Sequence, residues 1–316
     1  MRQSPTNKKD SQDRDLYAAA DLGSNSFHMI VARYSEGRFH VIDRVRDVVR
    51  LAEGIDKTNS VSPETMLRAL AALQQFSLCL GNVPPSNIRV VGTSALRNLK
   101  DKSSFITAAR EILGLPIDII SGEEEARLIN LGVAGNMKDL GVARLIIDIG
   151  GGSTEIMVGK DTNVLAAESL SMGCVSFSRR FFSEEKITLR LFKHAVTSAS
   201  SVLAPVMSRF SGVPWFDVVG TSGTIKATRK VIAAQEWGNK EITMSALDKV
   251  IDALTDVGQL DGLHALKGLS RDRAPVFPGG LAILKGIMQC FGLKSMRVSK
   301  AAMREGILLD LLQKKS

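Results

Sequence analysis

The chain repeats itself. An apolar stretch at residues 17–20 runs into Asp21-Leu-Gly-Ser-Asn-Ser26, and another at residues 145–147 runs into Asp148-Ile-Gly-Gly-Gly-Ser-Thr154, 127 residues further on (148 − 21). A second apolar run follows each turn at once, at residues 29–32 and 156–158. Later, Val90-Val-Gly-Thr-Ser94 returns as Val218-Val-Gly-Thr-Ser222, an offset of 128 between Gly92 and Gly220. Two independent strings that share one register mark an internal duplication, which confines the fold to two copies of one supersecondary unit.

Each copy reads as a hairpin whose tight Gly/Ser turn follows an Asp, then a helix, then a strand ending in Gly-Thr-Ser. The helices announce themselves. Ser62-Pro63-Glu64 opens one with proline at its first position, and Met66, Leu67, Leu70, Leu73 and Phe76 recur at spacings of three and four. Thr188 opens another that carries Leu191, Phe192, Ala195, Val196, Ala199 and Val202. Strands alternating with helices predict an α/β protein of two layered domains facing each other across a cleft. Leu281, Ile283, Leu284, Ile287 and Met288 suit either a core or an apolar dimer face.

Composition narrows the class. At roughly 150 residues per domain, 316 residues make about two domains. The longest charge-free stretch, residues 69–88, is broken by Gln74, Gln75, Asn82, Pro84 and Pro85, so it lacks the ~20 apolar residues of a membrane span. Residues 1–15 form a polar tail without the apolar run of a signal peptide. Three scattered cysteines, Cys79, Cys174 and Cys290, suit reduced thiols in a cytoplasm, and the four histidines have no zinc-ligand spacing. A net charge of +8 points to an anionic partner. Aromatic residues are only 5% and the basic ones do not cluster, which argues against nucleic acid.

The turns suggest what that anion is. A glycine-rich turn between strands aims backbone N–H groups at one spot and so cradles phosphate. In 148–154 three glycines bring the backbone close, and Ser153 and Thr154 add hydroxyls. Asp148 ends a buried strand, where a carboxylate is costly unless paired or bound to a cation, and Glu155 opens the return strand. Two carboxylates beside a phosphate turn suit Mg²⁺. Ser121-Gly-Glu-Glu-Glu-Ala-Arg-Leu128 places Glu123, Glu124 and Glu125 in the first turn of a helix, where they favour the dipole. One of them can act as a base toward water, and physics alone leaves open which.

These segments resemble the exopolyphosphatase and guanosine pentaphosphate phosphohydrolase family, within the larger group of actin, hexokinase and the Hsp70 ATPase domain. The resemblance rests on the strings at 21–26, 92–97, 121–128 and 148–155, on Met172-Gly-Cys-Val-Ser-Phe177, Ser222-Gly-Thr-Ile-Lys-Ala227, Pro278-Gly-Gly-Leu-Ala-Ile-Leu284 and Met303-Arg-Glu-Gly306. It implies two duplicated ribonuclease-H-like (actin-like ATPase) domains at 16–125 and 126–298, with the active site between them and a helix at 299–316 returning to the first. By matching position, Glu125 is the catalytic glutamate and Asp148 and Glu155 are the metal-associated acids, Glu155 also serving catalysis. Phosphate contacts fall on Ser24, Asn25, Ser26, Arg97, Gly151, Gly152, Ser153, Ser222, Gly223 and Thr224, with Arg273 holding the anionic chain. The family's Ser-Asp-Gly-Ala turn is here Ser299-Lys-Ala-Ala302.

The expectation is a cytoplasmic exopolyphosphatase, assisted by Mg²⁺ or Mn²⁺, that releases orthophosphate from the end of inorganic polyphosphate. Guanosine pentaphosphate is the alternative substrate and a homodimer the expected assembly; neither nucleic acid nor membrane is an expected partner. The same residues also suit an ATPase or kinase of this superfold, or a non-catalytic sensor of alarmones or polyphosphate.

Overall fold

Near-continuous apolar strands build the centre of each half. Leu16–Leu22 forms β1 and Ala143–Ile149 forms β6, both buried along almost their whole length, as expected of strands covered on two faces. The computed structural model describes residues 15–55, 59–137, 139–238 and 240–315, so the polar tail expected at 1–15 lies, but for Asp15, outside the described residues. The chain divides into two compact units: one runs to Ile120 and takes up the chain again from Ile307, and the other is Ser121–Gly306.

In the first unit, β1 is followed by β2 (Phe27–Ser35), β3 (Arg38–Asp47), helix α1 (Pro63–Leu80), β4 (Ile88–Gly92), α2 (Ser94–Asn98), α3 (Ser103–Leu113) and β5 (Ile117–Ile119). The sheet order is β3-β2-β1-β4-β5. β1 and β2 form an antiparallel hairpin, and β4 joins β1 in parallel. Ser62 caps α1 by accepting the Thr65 N–H at 3.3 Å, with Pro63 at the first helical position. The face of α1 bearing Ala69, Leu73 and Phe76 closes the core against Phe27, Met29 and Leu22.

In the second unit come α4 (Gly122–Asn136), β6, β7 (Thr154–Lys160), β8 (Asn163–Leu170), α5 (Cys174–Phe181), α6 (Leu189–Leu203), β9 (Asp217–Thr221), α7 (Ser222–Ala234), β10 (Ile242–Thr243), α8 (Met244–Val257), α9 (Phe277–Cys290), β11 (Ser295–Val298) and the start of α10 (Met303–Gln313). Its order is β10-β11-β9-β6-β7-β8. β6, β7, β8 and β9 repeat the arrangement of β1, β2, β3 and β4, antiparallel on one side of the first strand and parallel on the other. The duplication read from the sequence is thus a duplicated mixed sheet, and the protein is α/β. Thr188 caps α6 by accepting the Leu191 N–H at 3.2 Å. Leu281, Ile283, Leu284, Ile287 and Met288 are buried in this unit's core, which leaves none of them for a dimer face. Cys79, Cys174 and Cys290 are free thiols. Among the described residues no helix is long and apolar enough to cross a membrane.

Candidate active site

In the second unit, the hairpin register places Asp148 opposite Glu155, and Glu155 opposite Ser169 of β8. Residues directly opposite on antiparallel strands share a face, with Cβ atoms about 4.5–5.5 Å apart. Two carboxylates therefore stand side by side on one row, both buried. Ser169 Oγ donates to Glu155 Oε1 at 2.8 Å, and the Ser153 hydroxyl bonds the same carboxylate.

Helix α4 adds the third. Ser121 caps it by accepting the Glu124 N–H at 3.1 Å. The three glutamates then part company: Glu123 is exposed, and Glu124 takes Arg127 in a two-pronged pair at 2.7 and 2.9 Å. Glu125 is only 7% exposed, and its charge acts on both Asp148 and Glu155. Close packing brings it there. A Cβ on Gly122 would stand 2.3 Å from the Ser169 Cβ, so the first turn of α4 lies directly on β8 because residue 122 has no side chain. Two turns on, Asn130 Nδ2 donates to the Asp161 carbonyl at 3.1 Å and fixes the helix along the same hairpin.

Burial and like charge set the electrostatics. Asp148 is pushed up to about 7, first by burial and then by the Glu125 charge, while Lys226, the Ser222 hydroxyl and Arg304 act in the opposite direction. Glu155 is raised well above the usual carboxylate range by burial and by its two acidic neighbours. A bound cation would relieve that repulsion, so the donor set fits a hard divalent ion such as Mg²⁺. Among the described residues no group of three His, Cys, Asp or Glu is placed to cage a metal alone. Mg²⁺ ordinarily takes only one or two carboxylates and fills its shell with water and substrate phosphate.

Around these acids the turn 150–153 is tightly specified. Gly150 N–H donates to the Ser153 carbonyl at 2.9 Å, which takes that amide out of phosphate binding. Helix α5 starts on the turn, its Cys174 and Val175 N–H groups donating to Gly150 and Gly151 carbonyls at 2.9 and 3.0 Å. The Thr154 hydroxyl, expected to face phosphate, instead donates to the Met172 carbonyl at 2.6 Å and is fully buried. At the end of β9, Ser222 sits at a φ of +74°, a strained region for a residue with a side chain. Its hydroxyl donates to the Ile149 carbonyl at 2.8 Å and accepts the Gly223 N–H at 2.6 Å. Arg273 lies against Gly223, where a Cβ would stand 1.9 Å from its Nη2. Its charge also reaches Cys174, and Thr224, itself buried, bonds the Cys174 thiol.

The first unit holds the other expected phosphate ligands. Ser24, Asn25 and Ser26 are buried in the β1–β2 turn, braced by the Arg50 N–H on the Asn25 carbonyl at 2.8 Å and the Ala52 N–H on the Ser24 carbonyl at 2.9 Å. Asn25 Nδ2 donates to Ser26 Oγ at 3.2 Å. Arg97 Nη1 donates to the Ile120 carbonyl at 2.9 Å. Sequence reasoning assigned no role to Ser169, Lys226 or Arg304. Counting back along the hairpins would have found Ser169 opposite Glu155, and the i, i+4 spacing from Ser222 would have found Lys226.

Residues 30–315 match the model of the Ppx/GppA phosphatase family. A guanosine-5'-triphosphate,3'-diphosphate pyrophosphatase of Vibrio cholerae is 39% identical over 298 residues, covering 94% of this chain and 59% of the relative. The corresponding protein of Vibrio atlanticus is 39% identical over 297 residues with the same coverage. The chain thus spans about three fifths of the length of the curated relatives it matches. Among solved structures, an exopolyphosphatase from Cytophaga hutchinsonii superposes with a TM-score of 0.84 at 23% identity, over 95% of this chain and 98% of that one. The Aquifex aeolicus Ppx/GppA family member gives 0.79 at 23% identity, over 95% and 98%. The family match runs from within β2 past the end of α10, and the chain belongs to the Ppx/GppA phosphatase family.

Proposed function

We propose that the chain hydrolyses the terminal phosphoanhydride of a highly phosphorylated substrate, releasing orthophosphate. The observation that carries this reading is the meeting of three buried carboxylates, Glu125, Asp148 and Glu155, at a glycine turn suited to phosphate. Gly151, Gly152 and Ser153 hold the terminal phosphoryl group, and Arg273 beside Gly223 neutralises an adjoining phosphate. Within the first unit, the buried turn Ser24-Asn25-Ser26 and Arg97 are suited in their own right to phosphate oxygens. Ser222, Gly223 and Thr224 shape the wall on the β9 side.

Glu125 orients a water in line with the terminal phosphorus and takes its proton. Asp148 and Glu155 would hold Mg²⁺ or Mn²⁺, which when bound supplies charge neutralisation for the phosphoryl oxygens. A phosphate leaving group departs as a stable anion, so no dedicated general acid is required. The Cys174 thiol, next to the turn, is pushed up by burial and so stays protonated, which counts against a covalent intermediate.

Guanosine pentaphosphate is the favoured substrate, because the 39%-identical relatives carry the name of a guanosine-5'-triphosphate,3'-diphosphate pyrophosphatase. Inorganic polyphosphate ends in the same group and is the competing one. The test is orthophosphate release from guanosine pentaphosphate, short and long polyphosphate, and ATP, side by side at saturating Mg²⁺. Guanosine pentaphosphate should give the highest kcat/KM, and Glu125→Gln should lose about 10³-fold in turnover. Equal use of ATP would replace this reading with an ATPase, and tight binding without turnover would replace it with a sensor.

A further inference from the structure

The first turn of α7 touches the acidic row from the β9 side. β9 pairs with β6 so that Thr221 stands opposite Asp148, which puts Ser222 and, one helical turn on, Lys226 on the side of α7 nearest that carboxylate. Ser222 has one hydroxyl proton, and it lies on the Ile149 carbonyl at 2.8 Å. That hydroxyl also acts on Asp148, as Arg304 does from outside the helix, and the positive charge that α7 brings to bear on this carboxylate is that of Lys226.

Lys226 is not left to wander. Its Nζ donates to the Lys300 carbonyl at 2.9 Å. The turn that offers this carbonyl is itself tied to β9: Ser299 N–H donates to the Gly220 carbonyl at 2.9 Å, and Thr221 Oγ1 to the Ala301 carbonyl at 3.3 Å. A long, flexible ammonium is thus held on a main-chain acceptor that is anchored to the strand beside Asp148. These contacts use backbone oxygens of residues 300 and 301, so Lys300 and Ala301 keep the tether although they differ from the family's turn.

We propose that Lys226 is a positioning residue for Asp148: tethered by the Lys300 carbonyl, it balances the buried acidic row when no divalent cation is bound. The proposal rests on the functional reading above, since it gives Asp148 its place in that chemistry. It differs from a substrate contact in what it predicts. A lysine that only gripped phosphate would change KM and leave the unliganded protein untouched.

The experiment compares Lys226→Met, Lys226→Arg and wild type by thermal unfolding at pH 8, in chelator-treated buffer and again with 5–10 mM Mg²⁺ as an about millimolar-affinity probe, alongside kcat and KM for guanosine pentaphosphate. Lys226→Met should lower the midpoint by several degrees without Mg²⁺ and recover most of that loss with it, while Lys226→Arg stays near wild type. Its kcat should fall about tenfold with KM within about twofold, a pattern of lost positioning rather than lost binding. An equal midpoint shift with and without Mg²⁺, or a rise in KM alone, overturns the proposal. Should wild type turn over none of the substrates, the functional reading fails, and the unfolding comparison still judges Lys226 by itself.

Discussion

The two sheets place one residue row in the same position and fill it with opposite chemistry. In the first, Asp21 stands opposite His28, and His28 opposite Arg46; in the second, Asp148 stands opposite Glu155, and Glu155 opposite Ser169. The first row supplies nitrogen-bearing neighbours to its carboxylate. The second supplies another carboxylate and a hydroxyl, and Glu125 from α4 adds a third acid. A duplicated scaffold has thus set a histidine and an arginine along one row and a second acid and a hydroxyl along the other, where burial and like charge raise both carboxylates.

Exchanging the middle residue tests this contrast most severely. Glu155→His, which gives the second row the first row's arrangement, should cut turnover by about 10²-fold or more while raising the thermal midpoint of the metal-free protein at pH 8, because a buried like-charge contact is removed. A variant that stays active and gains no stability would break the comparison. Next in size is the pH response. Asp148 lies at about 7 in the folded protein against 3.8 ordinarily, and Glu155 is shifted the same way. The folded state therefore holds protons that the unfolded chain has released, and metal-free stability should fall as pH rises from about 4 through about 7. Added Mg²⁺ should restore several degrees at pH 8 and little at pH 5, read by thermal unfolding. Gly122→Ala should lower kcat about tenfold with a modest loss of stability, since the added methyl forces α4 and Glu125 away from β8. Ser169→Ala, which removes one donor from Glu155, should cost about threefold in kcat and leave KM unchanged.

Much of this was legible in the residues. The offsets gave the duplicated hairpins, and a carboxylate at the end of an apolar strand, next to three glycines, singles that turn out as a candidate site over a plain turn cap. What stayed hidden was register. The Gly-Thr-Ser strings match perfectly, yet β4 sets Val91 beside Asp21 whereas β9 sets Thr221 beside Asp148. With Gly92 equivalent to Gly220, the second pairing is advanced by two residues. A slip of two keeps every side chain on its face and so leaves no mark on the apolar pattern, but it moves the strand by roughly 7 Å. That shift, invisible in the repeat, is what carries Ser222 and Lys226 to the carboxylate. The choice among Glu123, Glu124 and Glu125 was hidden for a similar reason: it depended on which one Arg127 would claim and which side of α4 met β8. Thr154 was misread as a phosphate donor because a hydroxyl in a turn looks available until a buried carbonyl is found 2.6 Å away.

The turn at 299–302 invites a broader consequence. The Lys226 ammonium and the hydroxyls of Thr221 and Ser299 all end there on carbonyl oxygens, a feature that every amino acid brings with it. Among randomised libraries screened for folding and turnover, position 300 should accept most substituents and 226 almost none. The loop would then be a place where surface charge drifts freely while the machinery it braces stays put.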